Sequence, residues 1–196
     1  MSMHCGALAA ASAAVVLLSV PVPAHAAALA RPHRCETGEV DSRGRSSVDG
    51  NELTWDDSTT FDDARKQAAR VWSAGTFRQV KIKPDGATTY ADLEWKDTHQ
   101  TGPGWKRVYG KWDPNTGTDS LWMNKAYLGP GKALGADVHR RRVAAHELGH
   151  ALGFCHKAYG TGSYPSLMWA NYDHIRGKRI DRPTAHDIKA YHALWG

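Results

Sequence analysis

The sequence predicts an α+β domain built around a mixed β-sheet. Two observations predict this fold class: short segments of alternating apolar and polar residues fill the middle of the chain, and segments with helical periodicity precede and follow them. A chain of 196 residues without internal repeats or low-complexity segments fits one hydrophobic core. We therefore expect one folded domain, spanning residues 51–196.

The first 26 residues have the features of a secretory signal peptide. An apolar run extends from Ala7 to Val22, and small residues lead to a cleavage position after Ala26. The positively charged region before the run is weak, which leaves an uncleaved membrane anchor as the alternative. Cleavage would give a secreted, extracellular protein without membrane association. Residues 27–50, which show no periodicity, are then an N-terminal arm.

The formal net charge of +5 makes the chain basic, but the lysines and arginines are scattered. This pattern is typical of a solvated surface, and it allows loose association with anionic polymers such as cell-wall material. It does not indicate specific nucleic-acid binding, and the tryptophans fit core packing better than base stacking. We expect a monomer.

The domain begins with a predicted strand at Glu52–Trp55 and an amphipathic helix. Thr60 is a candidate helix cap because an acidic residue follows three positions later. The helix ends at Gly75, and its apolar residues lie on one face at spacings of three and four. These residues are Phe61, Ala64, Ala68, Val71 and Trp72.

The rest of the domain alternates strand and helix signals. Predicted strands cover residues 80–83, 91–95, 107–111 and 121–128, with a turn at 84–86 between the first two. Asp137 is a candidate cap for a helix that runs to about Leu152. A last helix spans about Pro183 to Trp195.

The helix from Asp137 to Leu152 carries a pattern typical of zinc sites. His146 and His150 are four residues apart, so both imidazoles project from one helical face and can bind one metal ion. Glu147 follows the first ligand and is close enough to act as general base on water at the metal. Lone histidines are usually structural, but this spacing indicates metal binding.

A catalytic zinc site needs a third protein ligand and leaves its fourth position for water. Gly153 can end the helix in a left-handed conformation and turn the chain so that His156 approaches the metal. The competing arrangement uses a glutamate from a later helix, but Glu147 is the last glutamate of the chain. Three aspartates could substitute in principle without such a turn: Asp173, Asp181 and Asp187.

Together, residues His146 to His156 resemble the HExxHxxGxxH signature of metzincin metallopeptidases, and the resemblance to the matrixin family extends over about 51–196. It implies a twisted five-stranded sheet, two long helices, a C-terminal helix and one catalytic Zn²⁺. It also implies an endopeptidase that acts on proteins or peptides. Residues 166–169 are similar to the family's methionine turn, with Met168 beneath the metal.

The resemblance also implies roles for residues near that turn. Trp169 stands where matrixins commonly have tyrosine, and Tyr172 matches a family tyrosine, so both are candidates for the substrate pocket. Asp187 could bind the methionine turn, or it could complete a helix cap with Thr184. The segment 121–128 resembles the sheet edge along which substrate extends. The family's calcium and additional zinc sites find no matching ligand set.

Cys35 and Cys155 are the two cysteines that remain after signal cleavage, and a disulfide is the expected state in an oxidising compartment. The alternative is an inhibitory thiol, because Arg34-Cys35 resembles the Arg-Cys of the matrixin inhibitory segment. A free-thiol count would separate the two.

The sequence therefore predicts hydrolysis of peptide bonds by metal-activated water, with Glu147 as general base. The main alternative is a secreted zinc-containing binding protein, or a latent or inactive protease homologue, associated with anionic cell-wall polymers. A structural zinc site would normally have four protein ligands, and three are found. An amidase acting on peptidoglycan is a further alternative.

Overall fold

The computed structural model describes residues 34–35, 39–86, 90–158, 165–170 and 180–196. The predicted signal peptide at residues 1–26 lies outside this part of the chain, as do Tyr172 and Asp173. Within the described ranges, no helix has the length and apolar character needed to cross a membrane.

Five strands form one mixed sheet in the order β2-β1-β3-β5-β4, which confirms the predicted α+β fold class. The strands are β1 (Glu52–Asp57), β2 (Lys81–Pro84), β3 (Leu93–Thr98), β4 (Gly110–Asp113) and β5 (Asp119–Asn124). Strands β1, β2, β3 and β5 run parallel to one another, whereas β4 pairs antiparallel with β5. Strand β4 therefore forms the edge of the sheet at one side.

The prediction of a sheet-edge strand at residues 121–128 is wrong. Strand β5 lies between β3 and β4, and nearly all of its residues are buried. The chain leaves the sheet at Asn124, whose side chain accepts a hydrogen bond from Ala126 N and begins the short helix α2 (Lys125–Leu128). Alternation of apolar residues identifies a strand but not its neighbours, so the edge position could not be read from it.

The other strands lie within a few residues of their predicted positions. The turn predicted at residues 84–86 does not join adjacent strands, because β1 separates β2 from β3. Both flanking strands run parallel to β1, so the chain must cross over rather than form a hairpin.

Helices α1 (Asp62–Val71) and α3 (Asp137–Ala151) pack against each other, and α3 also contacts β4 and β5. The fully buried Trp72, at the end of α1, joins the two helices: its Nε1 donates to the Ala145 carbonyl of α3 at 2.7 Å. The last helix, α4 (Ala185–Trp195), is attached at its end, where Trp195 Nε1 donates to the Leu152 carbonyl. The helix that carries the predicted metal ligands is thus held by the core on several sides.

The helix starts differ in part from their predicted caps. Thr60 does not cap α1, because Phe61 occupies the N-cap position without a side-chain hydrogen bond. Asp137 is the first residue of α3 rather than its cap, which is Ala136. The capping box predicted for the last helix is present, formed by Thr184 and Asp187.

Thr60 binds the carboxylate of Asp97 instead of capping the helix. Asp97 accepts hydrogen bonds from Thr60 N at 2.8 Å and from the hydroxyls of Thr59 and Thr60, and it pairs with Lys125 at 2.7 Å. Partial burial raises the pKa of Asp97, but the bonds from Lys125 and the threonines together lower it below its usual value. This carboxylate links the start of α1 to the end of β3 and to α2.

We expect Asp97 to stabilise the fold only while it is ionised. Because its folded pKa is lowered, the contribution is present above about pH 4 and is lost as the pH falls through the folded value. Asp97→Asn should therefore be clearly less stable than the native protein at pH 6 and approach it near pH 2. Urea unfolding at a series of pH values measures the difference. The exposed Asp56→Asn is the control, and a pH-independent difference for Asp97→Asn would contradict the assignment.

Candidate metal centre

Helix α3 carries His146, Glu147 and His150 and packs against β4 and β5. The two histidines are half-buried, and Glu147 is buried beside them. The neighbouring positions Ala144, Ala145 and Leu148 are fully buried. The site is therefore built on a helix that the core holds rigidly.

A tight turn after α3 carries the third histidine. Gly153 has a φ of +91°, a backbone conformation that residues with side chains rarely adopt. A β-carbon there would lie 2.5 Å from the Ser42 carbonyl oxygen. Phe154 N donates back to the Gly149 carbonyl at 3.0 Å, which closes the helix end. The chain then reverses and places His156 opposite the two helical histidines.

The three imidazoles converge through their Nε2 atoms. The distances are 3.2 Å between His146 and His150, 3.2 Å between His146 and His156, and 3.1 Å between His150 and His156. Two nitrogens bound to one tetrahedral zinc ion at about 2.0–2.1 Å are separated by roughly 3.3 Å. The donor set therefore fits a zinc ion, and among the described residues it is the only cluster of at least three potential ligands.

The other ring nitrogens of the two helical histidines are fixed by backbone carbonyls. His146 Nδ1 donates to the Leu167 carbonyl at 2.8 Å, and His150 Nδ1 donates to the Phe154 carbonyl at 2.6 Å. These bonds assign the tautomer that leaves Nε2 unprotonated for a metal. Burial and the neighbouring imidazoles lower the pKa of His146 well below its usual value and that of His150 to about 3, so both are neutral at pH 7.

Residues 166–169 form the turn beneath the ligands. Met168 is fully buried, and its sulfur lies so close to Gly149 that a β-carbon at residue 149 would be 2.4 Å away. The Met168 carbonyl accepts from Lys157 N at 2.7 Å, next to His156 in the sequence. The methionine turn therefore contacts both the ligand helix and the segment that carries the third ligand.

Asp187 binds the methionine turn and the helix cap at the same time. Its buried carboxylate accepts from the Ser166 hydroxyl and from Leu167 N, at 2.5 and 2.8 Å. It also accepts from the backbone and the hydroxyl of Thr184. Asp187 therefore both binds the methionine turn and completes the helix cap with Thr184. By binding Leu167 N, it helps to position the residue whose carbonyl accepts from His146.

Glu147 lies between the ligands and the edge strand. Its Oε2 accepts from Trp112 N of β4 at 3.0 Å. Burial raises the pKa of Glu147 to about 7, although the Trp112 hydrogen bond and the charge of Arg34 act in the opposite direction. A carboxyl group with this pKa can both accept and donate a proton near neutral pH.

A cleft of about 560 Å³ contains the three histidines and Glu147. Trp169 lines it, as predicted from the sequence, and so does the neighbouring Ala170. Sequence reasoning missed the contribution of the segment before and within β4, which forms another wall. These residues are Arg107, Val108, Tyr109, Gly110, Lys111 and Trp112. Their side chains form no chemical motif, so only the strand order brings them to the site.

Cys35 and Cys155 form a disulfide, as predicted from the sequence. The bond occupies the Cys35 thiol, so the alternative role as an inhibitory thiol is wrong for this structure. Arg34 and Cys35 nevertheless line the cleft, where Arg34 pairs with Asp113 of the edge strand. The arm thus contributes to the cleft wall through its disulfide-bonded end.

Comparison with protein families identifies one match that covers most of the chain. The family model described as Matrixin, Peptidase_M10, matches residues 47–196. The match includes all three histidines, Glu147 and the methionine turn. A search of curated proteins finds no match to the sequence.

Proposed function

Because the chain belongs to the matrixin family of zinc metallopeptidases, we propose that it is a secreted endopeptidase in which Glu147 serves as general base. The observation that carries this proposal is the convergence of three imidazole Nε2 atoms within 3.2 Å of one another, beside a buried carboxyl group in an open cleft. This arrangement supports metal-assisted hydrolysis.

The chemistry divides between the metal and the side chains. His146, His150 and His156 would hold the zinc ion through Nε2. When bound, zinc supplies a Lewis acid that polarises a peptide carbonyl and makes water more acidic. Glu147 would accept the proton of the attacking water at its carboxylate and then deliver it to the nitrogen of the leaving amine.

An extended substrate would bind along the edge strand β4 rather than along β5. Strand β4 pairs only with β5 among the described strands, so its other side offers main-chain groups to a peptide. Trp112 N, which donates to Glu147, belongs to this edge and lies beside the ligands. Trp169 lies in the same cleft and would border the substrate pocket. Tyr172, the other candidate for the pocket, lies outside the described residues.

The cleft geometry favours an enzyme over a zinc-containing binding protein. The described residues provide three converging histidines and no fourth ligand to close the site, which is the ligand count of catalytic zinc centres. Extracellular location is supported by the Cys35–Cys155 disulfide, since such bonds persist mainly in oxidising compartments.

Removal of the metal tests the proposed function. The purified protein should contain about one zinc ion per chain and should cleave casein. Dialysis against a chelator should abolish cleavage, and addition of one equivalent of zinc should restore it, because the core, through α1, β4 and β5, holds the helix that carries His146, Glu147 and His150. Zinc is quantified by atomic absorption in the same samples. Stoichiometric zinc without cleavage would instead favour a binding protein or an inactive homologue.

A further inference from the structure

The N-terminal arm contacts the turn that carries His156, although the family match begins only at residue 47. The arm runs alongside residues 151–157. Ser42 N donates to the Gly153 carbonyl at 3.0 Å, and Ser47 N donates to the Ala151 carbonyl at 2.7 Å. Two backbone hydrogen bonds therefore join the arm to the end of α3 and to the glycine of the turn.

Asp41 makes the contacts closest to the third histidine. Its Oδ1 accepts from Cys155 N at 2.9 Å and pairs with Nζ of Lys157. These two residues directly precede and follow His156 in the sequence. Both members of the ion pair are largely shielded, with side-chain exposures of 17% for Asp41 and 22% for Lys157, so solvent screens the pair less than a surface pair.

A covalent bond adds to these contacts. Cys35 is joined to Cys155, next to His156, across 120 residues of sequence. At the other end of the arm, Ser47 accepts from Trp112 Nε1 at 2.9 Å and donates to the buried Asp119 at 2.7 Å. The arm is therefore bonded both to the turn and to the sheet, so it holds the turn in a fixed position relative to the core.

His156 needs such support more than the other two histidines. It lies outside α3 and is exposed, whereas His146 and His150 are half-buried on the helix. The backbone carbonyls of Leu167 and Phe154 orient the helical histidines. Within the described part of the chain, no residue makes a corresponding hydrogen bond to His156 Nδ1. Among the described contacts, those to the backbone and side chains of residues 155–157 are therefore the ones that hold its position.

We propose that residues 39–47 form an arm clamp that fixes His156 as the third metal ligand, with Asp41 as its positioning residue. The inference rests on the proposed function, because His156 needs a fixed position only if it holds the metal. Asp41 touches neither metal nor substrate, and it acts through the backbone of Cys155 and the side chain of Lys157. Loss of Asp41 removes two of the contacts that hold the turn, so His156 leaves the metal more often and zinc dissociates faster.

The test measures zinc release from Asp41→Ala and from the native protein. A chromophoric chelator in excess traps released zinc, and the rate of colour formation gives the dissociation rate. We expect release to be about tenfold faster in Asp41→Ala, since loss of residues that orient metal ligands weakens binding by about 10–100-fold. Asp49→Ala is the matched control: it removes the same charge from an exposed position of the same arm and should not alter the rate.

A second readout separates positioning from a general loss of stability. The cobalt-substituted protein should show an altered visible absorption spectrum in Asp41→Ala, because the spectrum reports the coordination of the ion. Asp41→Asn retains an acceptor for Cys155 N and should give an intermediate release rate. Lys157→Met, which removes only the ion pair, should also release zinc faster than the native protein, and it tests the clamp if Asp41→Ala does not fold.

The outcomes distinguish the clamp from the proposed function. Stoichiometric zinc in the native protein, with unchanged release rates and cobalt spectra in the Asp41 and Lys157 variants, overturns the clamp and leaves the proposed function intact. A native protein that binds no zinc overturns the proposed function and the clamp with it. Faster release in Asp49→Ala as well would show a non-specific effect of charge and would also overturn the clamp.

Discussion

Replacement of Glu147 by glutamine should lower the rate of peptide hydrolysis by about 10³-fold and leave zinc content unchanged. Glutamine keeps the shape of the side chain and can still accept a hydrogen bond from Trp112 N. It cannot accept a proton from water or return one to the leaving amine. Because Glu147 is not one of the three converging ligands, the metal should remain bound.

The measurement compares kcat/KM for a fluorogenic peptide between the native protein and Glu147→Gln, with zinc quantified in both. Glu52→Gln is the control, because Glu52 lies on β1 and pairs with Lys81 and Lys83 away from the cleft. It should retain native activity. If Glu147→Gln kept activity within about tenfold of the native value, Glu147 would not be the general base.

Asp187→Asn should destabilise the fold by about 3 kcal/mol or more. The carboxylate is almost fully buried and accepts hydrogen bonds from Ser166, Leu167 and Thr184. An amide of the same shape can accept at one atom only, and it directs its two N–H donors toward groups that also donate. The substitution therefore leaves buried donors without acceptors at the methionine turn and at the start of α4.

Urea unfolding at neutral pH measures this loss, with His186→Ala as the control. His186 is the exposed neighbour of Asp187 on the same helix, and its removal should change the free energy of unfolding by no more than about 0.5 kcal/mol. An equal effect of the two substitutions would contradict the role of the Asp187 network. Weaker zinc binding in Asp187→Asn would further link the network to His146 through Leu167.

The local part of the metal centre could be predicted from sequence. A four-residue spacing on a helix determines which side chains share a face, and Gly153 marks the turn, so the grouping of the histidines follows from nearby residues. The structure brings His146, His150 and His156 together as that spacing required. The mixed sheet was likewise predictable from the order of strand and helix patterns.

Features that depend on distant parts of the chain were not predictable in this way. The resemblance of residues 121–128 to the matrixin edge segment predicted β5 at the sheet edge, whereas β4 lies outside it and forms that edge. Thr60 looked like a helix cap, but Asp97, which is 37 residues away, binds its hydroxyl instead. Asp41 lies 114 residues from Cys155, and no local sequence pattern predicts their hydrogen bond. Tertiary contacts decided each of these positions.

Cleavage of a peptide with both termini blocked tests the central claim most directly. The zinc-loaded protein is incubated with an acetylated, amidated peptide, and the products are identified by mass spectrometry. The account predicts two fragments whose masses sum to that of the substrate plus one water, and their absence after zinc removal. An intact peptide in the presence of stoichiometric zinc, over a panel of such sequences, would contradict the assignment of this protein as an endopeptidase.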